Sequence, residues 1–356
     1  MPTKSWYSPT TAQLSLYRSL PKVELHRHLE GSLRLNTLLD VARTHGITLP
    51  LGPDLSSRVQ MQTGDPLTFS TFLSKFQMLR LFYRSPEVIK RVTHEAVADA
   101  AADGVLHLEL RFTPVALTRA QDFGLADVMD WVLESANQAA RDYGISVVLI
   151  VSVNRHESVE QAEKVALLAV ERRQRGIVGL DLAGNEADFP AAPFAGVFRQ
   201  AKAAGLHIAI HAGEWGGAQN VREALEVLHA ERIAHGVRVM EDPAVVALAK
   251  ELQAPFEVCI TSNYQSGVVS SLTAHPLLQM AASGLYVTIN TDDPSISQIT
   301  LSDEYRLVVE NLGFSRAQLA GRVLAAARAA FLPADARQAL LNQIMARLRQ
   351  EKIEPI

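Results

Sequence analysis

The chain carries a single cysteine in 356 residues, Cys259 in the apolar run 256-FEVCI-260, which excludes a disulfide framework and suits a reducing compartment. Long apolar runs are missing too. The richest stretch, 147-VVLIVSV-153, falls far short of the ~20 residues a membrane span needs. The opening segment, MPTKSWYSPTTAQLSLYRSL, lacks the apolar core of a signal peptide. Charge of one sign is scarce: the formal net charge is -4 with 20% charged residues, which argues against a nucleic-acid partner, an acidic tail or disorder. No linker, internal repeat or low-complexity tract divides the chain. These absences leave a cytoplasmic protein without nucleic-acid or membrane partners, built as one domain over residues 1–356 and acting on a small molecule. They leave its oligomeric state open.

What is present is a rhythm. Eight short runs rich in Val, Ile and Leu, at 23–30, 105–113, 145–153, 178–186, 206–214, 232–239, 256–263 and 286–293, read as buried parallel strands. Between them lie segments with helical spacing, such as 87–104, 158–176, 220–230 and 242–252, several opened by Asp, Asn or Ser or closed by Gly. Eight alternations predict an α/β fold, a (β/α)8 barrel. Residues 31–86 exceed one crossover, so extra helices are expected after the first strand, one of them near 70–84. The Ala-rich segment from 303 onward supplies the last helix and a helical C-terminal extension.

The unusual polar residues cluster where such a barrel keeps its chemistry, at the carboxyl ends of the strands. In 24-ELHRHLE-30, residues two apart share a face, which groups Glu24, His26, His28 and Glu30. Strand five ends with His211 and Glu214, strand six with His235, strand eight with Asp292 and Asp293. Each piece alone has a plainer reading. A lone H-x-H can line a barrel as a satisfied pair, and Asp before Pro294 commonly caps a helix. Collected in one barrel mouth, these ionisable groups are costly to bury unless a cation joins them, and imidazole with carboxylate is a donor set that zinc favours. Other polar residues take structural roles. His107, Glu109 and Arg111 alternate as a polar layer inside the barrel. His207, earlier in strand five, packs. His275, before Pro276, serves a turn.

The segments 24-ELHRHLEGSLR-34, 180-LDLAGNE-186, 209-AIHAGE-214, 234-AHGVRV-239, 262-SNYQSGVV-269 and 290-NTDDPSIS-297 resemble, in order and over about residues 21–330, the signature segments of the adenosine deaminase family of zinc amidohydrolases. The resemblance implies one Zn2+ per chain, held by His26, His28, His211 and Asp292. It further implies that His235 orients the attacking hydroxide as base or electrostatic partner and that Asp292 accepts a hydrogen bond from the same water. Glu214 would protonate N1 of a purine, Asp293 would bond N7, and the Gly184 N–H would meet N3. His28 would also touch the substrate, Glu30 stands where the family meets the sugar hydroxyl, and 71-TFLSKF-76 resembles the segment whose Phe72, Leu73 and Phe76 cover the nucleoside. The implied reaction is hydrolytic loss of the 6-amino group as ammonia.

Glu30 departs from the pattern, because the nucleoside-specific members carry Asp there. One extra methylene moves a carboxylate by roughly 1.5 Å, enough to break a direct hydrogen bond. Adenosine or deoxyadenosine remains the favoured substrate. A nucleoside with a bulky 5' group, such as the aminofutalosine of menaquinone synthesis, comes next, and free adenine third. Two readings of other classes compete: a binuclear hydrolase, which needs a bridging lysine that 180-LDLAGNE-186 does not contain, and a non-catalytic purine-binding protein, which would have lost part of the constellation.

Overall fold

In the computed structural model, residues 16–48 and 55–356 are described. The expectation for the opening segment therefore falls largely outside them. Eight strands follow one another: β1 (Lys22–His28), β2 (Val105–Phe112), β3 (Ser146–Asn154), β4 (Ile177–Ala183), β5 (His207–Ala212), β6 (Arg232–His235), β7 (Pro255–Val258) and β8 (Tyr286–Ile289). They pair in parallel, each with the next in sequence, and helices cover the outside. This is the expected (β/α)8 barrel. Among the described residues no helix is long and apolar enough to cross a membrane.

Local chemistry explains the alternation. Every position of β2 is buried, as a strand covered on both sides requires. The helix Pro86–Ala102 begins with the Ser85 side chain accepting from the Val88 amide and with proline in its first turn. The helix Leu125–Tyr143 ends at Gly144, whose φ of 66° lets its amide return to the Ala140 carbonyl. The long insertion after β1 is helical, as expected, with Leu35–Thr44, Leu55–Val59 and Phe69–Leu79, the last followed by a tight turn at Arg80–Phe82.

Several strands stop earlier than their apolar runs. The run 256–263 is strand only to Val258, and Ile260–Gln265 is helical. Likewise 232–239 becomes a 3-10 turn after His235, and 286–293 leaves the ladder after Ile289. Burial continues past the last ladder hydrogen bond because these segments fold back over the barrel mouth. Hydrophobicity therefore overstates strand length.

The barrel closes through one of these continuations. Arg27 bridges Asp292, the His28 amide donates to the Asp292 carbonyl at 2.8 Å, and the Asp292 amide donates to the His26 carbonyl at 2.9 Å. The Leu25 amide adds a bond to Asn290 Oδ1 at 2.9 Å. Asp292 and His235 have φ of 72° and 59°, strained for non-glycine residues. Such strain persists only where the surroundings over-determine it.

The far end is sealed by the C-terminal extension. The Phe331 ring stacks on His207 with centroids 4.4 Å apart and lies under the Arg232 guanidinium at 3.5 Å. The Phe331 amide donates to Glu109 Oε1 at 2.6 Å. Phe331→Ala is therefore expected to lower the unfolding free energy by about 3 kcal/mol, from lost burial plus an unfilled cavity. The check is the denaturant midpoint, which should fall at unchanged slope.

Candidate active site

At the carboxyl ends of the strands four imidazoles converge. The centroid of His26 lies 5.2 Å from that of His28, 4.8 Å from His211 and 4.7 Å from His235. One ligating atom each from His26, His28 and His211 falls within a 4.8 Å group. Asp292 completes it: its Oδ1 stands 3.1 Å from His26 Nε2 and 3.5 Å from His28 Nε2.

The hydrogen bonds behind these rings decide which lone pairs face inward. His26 Nδ1 meets Glu257 Oε2 at 3.0 Å, and His211 Nδ1 meets Asp181 Oδ1 at 2.9 Å. A carboxylate only accepts, so both Nδ1 atoms carry hydrogen, and in the neutral rings a metal requires both Nε2 atoms turn lone pairs inward. There His28 Nε2 and His211 Nε2 lie 3.3 Å apart, and His26 Nε2 faces a carboxylate oxygen. So many electron pairs aimed at one point repel each other unless a cation sits among them. The donor set thus fits a divalent metal. A second grouping, His26, His235 and Cys259, fits less well, since burial holds the Cys259 thiol well above its ordinary pKa and its sulfur donates to the Glu257 carbonyl at 3.5 Å.

The orienting carboxylates rest on buried arginines. Glu257 Oε2 takes Arg111 Nη2 at 2.5 Å and its Oε1 lies 2.6 Å from Arg232 Nε. Against the opposing effect of burial, these guanidiniums hold Glu257 well below the carboxylate range. Arg232 also grips Glu109, whose pKa falls to about 2, and His107 Nδ1 bonds Ser146 at 2.9 Å. The expected polar layer is present, and its Arg111 holds the Glu257 carboxylate that orients His26.

Glu214, beyond the end of β5, behaves oppositely. Burial first, then Asp292 and Glu186, push its pKa well above the usual range, so the carboxyl keeps its proton. Its amide and that of Gly213 donate to Glu186 at 2.6 and 2.9 Å, which fixes the turn. Asp293 is raised in the same way by burial and by Asp292, and its Oδ1 is buried without a partner. Asp292 is held well below: burial opposes, but His26, His235 and His28 win, and Ser262 Oγ donates to its Oδ2 at 2.6 Å.

His235 has a defined tautomer. The Leu277 amide donates to His275 Nδ1 at 3.1 Å, so His275 carries hydrogen on Nε2 and gives it to Asn263 Oδ1 at 3.2 Å. The Asn263 amide nitrogen, 3.1 Å from His235 Nδ1, must then donate to it. Burial keeps His235 neutral, which leaves its single hydrogen on Nε2. That atom lies 3.7 Å from Glu214 Oε1 and 3.9 Å from Asp292 Oδ2.

One cavity opens onto this cluster. His28, Glu30, Phe72, Leu73, Phe76, Gly184, His211, Glu214, His235, Asp292 and Asp293 all line it, and His26 lies just beneath, fully buried. Gly184, at φ 97°, brings its backbone to the wall. Phe72 is buried and also faces the cavity, so core and cover coincide in one helix. Glu30 Oε1 accepts from the Thr113 amide at 2.6 Å, its Oε2 has no partner, and burial lifts its pKa to about 7. Glu24, on the same face of β1, instead turns to the Thr291 amide at 2.8 Å and helps close the barrel.

The orienting residues Asp181, Glu186, Glu257, Ser262, Asn263 and His275 received no site role from the sequence. Signals existed: a lone glutamate in the apolar run FEVCI, and polar residues inside two of the recognisable segments. His207 forms no part of the site and pairs with Glu231 at 3.2 Å. His275, read as a turn residue, does bond the Leu277 amide but is also buried in the Asn263 chain.

A (β/α)8 barrel with a metal-ready imidazole cluster at its carboxyl mouth and a protonated carboxyl beside it defines a hydrolytic deaminase of the amidohydrolase type. A sequence model of the family described as adenosine deaminase matches residues 21–347. An adenosine deaminase of Klebsiella pneumoniae (strain 342) is 37% identical over 330 residues, 92% of this chain and 98% of the relative. Among solved structures, an adenine deaminase from Arthrobacter aurescens superposes with a TM-score of 0.86 at 31% identity, covering 93% of this chain and 99% of that one. A Burkholderia ambifaria amidohydrolase with bound Zn does so with 0.86 at 26% identity, covering 97% and 96%. The chain belongs to the adenosine deaminase family.

Two outcomes test the geometry. His211→Ala should abolish stoichiometric metal retention after dialysis, measured by elemental analysis, while Asp181→Asn should weaken it by 10- to 100-fold. Asn263→Asp, which can only accept from His235, should move the imidazole hydrogen to Nδ1, visible in ring 15N shifts, and lower kcat by roughly 10²–10⁴-fold.

Proposed function

We propose that the chain is a zinc-dependent deaminase that converts adenosine or deoxyadenosine with water to inosine or deoxyinosine and ammonia. One zinc would be held by His26, His28, His211 and Asp292. The observation that carries this reading is a buried carboxyl, Glu214, whose pKa burial pushes up and which stands 3.7 Å from His235 Nε2, an atom itself 3.9 Å from Asp292 Oδ2, on the wall of the cavity that the site residues line. When bound, zinc acts as a Lewis acid that makes a hydroxide nucleophile available near neutral pH.

The protein's own groups divide the remaining work. Glu214 donates its proton to N1 of the purine, which drains electron density from C6. The Asp293 carboxyl, kept protonated, donates to N7, and the Gly184 N–H donates to N3, so the ring is held by its edge nitrogens. His235 presents Nε2–H towards the attacking oxygen. Of its two expected roles the electrostatic one therefore fits, and Asp292 beside it receives the water proton. Phe72, Leu73 and Phe76 exclude bulk water. Asp292 returns that proton to the 6-amino group, which leaves as ammonia as the C6–N bond breaks, and the proton of the C6 hydroxyl passes back to Glu214 as the carbonyl forms. The lone thiol agrees with a cytoplasmic setting, and residues 1–356 would act as one domain.

Adenine is a second reading with an observation behind it. Glu30 spends one oxygen on the Thr113 amide, and the Arthrobacter neighbour with 31% identity is an adenine deaminase. Purified zinc-loaded protein incubated with adenosine, deoxyadenosine, adenine and aminodeoxyfutalosine should release ammonia, with adenosine or deoxyadenosine ahead of adenine. Release from none of them sinks the proposal. Glu214→Gln should keep its metal and lose roughly 10²–10⁴-fold in kcat. Full activity in that variant removes Glu214 as the acid.

A further inference from the structure

Strand β1 carries Arg27 between His26 and His28, and side chains alternate along a strand, so Arg27 points away from the barrel mouth. It lines a second pocket, on the outer side of β1, together with Arg18, Arg34, Asp99, Asp103 and the Pro294–Ser295 step. This pocket shares no lining residue with the active-site cavity. Its floor nevertheless belongs to the same backbone. Arg27 bridges Asp292, Pro294 and Ser295 follow the Asp292–Asp293 pair, and the Ser295 amide donates to the Gly31 carbonyl at 2.8 Å.

Arg27 is only 6% exposed, one of five buried arginines among the described residues. Each of the other four gives at least one Nη group to a protein acceptor: Arg111 to Glu257, Arg155 to the His211 carbonyl, Arg172 to Asp130 and Arg232 to Glu109. Arg27 gives only its Nε, to Ser32 Oγ at 3.2 Å, and neither Nη group has a partner among the described residues. Nor are these two atoms sealed in protein; they open onto the pocket. The carboxylates around them are already engaged. Asp99 receives Arg34 through Nε at 3.0 Å and Nη2 at 2.7 Å, and Asp103 receives the Ser302 amide at 2.9 Å and hydroxyl at 2.6 Å. Glu24, on whose charge Arg27 acts, accepts from the Thr291 amide and forms no ion pair with Arg27. A buried fork of donors is thus left facing open space, with the exposed Arg18 at the rim above it.

We propose that this pocket binds a small tetrahedral oxyanion of the phosphate class, held by the Arg27 fork from below and by Arg18 at the rim. A tetrahedral ion presents oxygens in several directions and so serves two guanidiniums at once, whereas a carboxylate offers a single edge. Occupation reaches the site on the other face of β1. An anion seated on Arg27 offsets a buried positive charge one residue away from two imidazoles, and it braces the seam between β1 and the Asp292 peptide. Both effects favour a cation held by His26, His28 and Asp292. Binding of the anion stands apart from the deaminase reading; its effect on the metal rests on the ligand set given there.

The test titrates the zinc-loaded protein with inorganic phosphate, sulfate, acetate and chloride and reads the heat of binding and the thermal midpoint. Ionic strength is held constant, which separates a site from general screening. Phosphate or sulfate should bind saturably with a Kd of roughly 0.1–5 mM, the worth of two charge-assisted contacts, and acetate about 10-fold more weakly. Arg18→Met should weaken phosphate by about 10-fold and Arg27→Met by about 100-fold. Saturating anion should slow the loss of zinc to a chelator several-fold in the wild type and leave it unchanged in Arg27→Met. Absence of saturable binding, acetate equal to phosphate, or an affinity unchanged in both arginine variants overturns the site. Zinc lost at one rate with and without saturating anion overturns its coupling to the metal. The anion series on the wild type and on Arg18→Met, a change at an exposed position, decides the matter even where Arg27→Met folds poorly. Ammonia release from no 6-aminopurine is a different result, which removes the deaminase reading and leaves the anion site in place.

Discussion

Beneath the mouth of this barrel, charge is stacked in layers with no water to screen it. Two guanidiniums, Arg111 and Arg232, are shared among three carboxylates, Glu109, Asp181 and Glu257, all fully buried. Removing one partner of such a network leaves a neighbour charged and unpaired in a low-dielectric interior, which is why these contacts are mutually obligatory. The excess negative charge has one outlet, upward through His26 and His211, whose Nδ1 hydrogens it fixes. The inward lone pairs, and so the affinity for a cation, follow from that layer.

The same low dielectric separates like residues into unlike roles. Asp292 and Asp293 are neighbours in sequence, yet the first is held below the carboxylate range against its burial, chiefly by His26, and the second is pushed up by burial and by the first. Glu214 joins the protonated group, and His235 is kept neutral with its hydrogen pointing into the site by a relay that begins at a backbone amide. An acid and an acceptor thus each stand within 4 Å of one neutral donor, His235 Nε2. Each state is set by surroundings that lie several strands away in the chain.

The backbone takes part in this division. The barrel is closed by the Asp292 peptide, not by an extended β8, so the residue expected to bind metal is also the keystone between the first and last strands. Its positive φ is the cost of that double duty. Opposite, the C-terminal extension seals the barrel floor with Phe331 and ties into the arginine layer through Arg232. The stability of the floor and the geometry of the site are therefore linked through one guanidinium.

The alternation of apolar runs with helical spacing was enough to read the barrel, because burial on both faces leaves its mark on every strand. The clustered histidines, Glu214 and the Asp pair were legible because ionisable residues stand out at strand ends and because their segments resemble those of a known family. The strand limits were not, since the apolar signal of 256–263 and 286–293 continues into turns that bury side chains without a ladder. Nor were Glu257, Asn263 and His275 given site roles. A single glutamate in FEVCI does not say which imidazole it will meet 231 residues away. Composition and pattern by themselves determined the fold class and the kind of atoms gathered at its mouth. Only the tertiary structure decided which carboxyl is pushed towards its protonated form and which imidazole nitrogen bears hydrogen, because those states depend on desolvation and on charges brought near by folding.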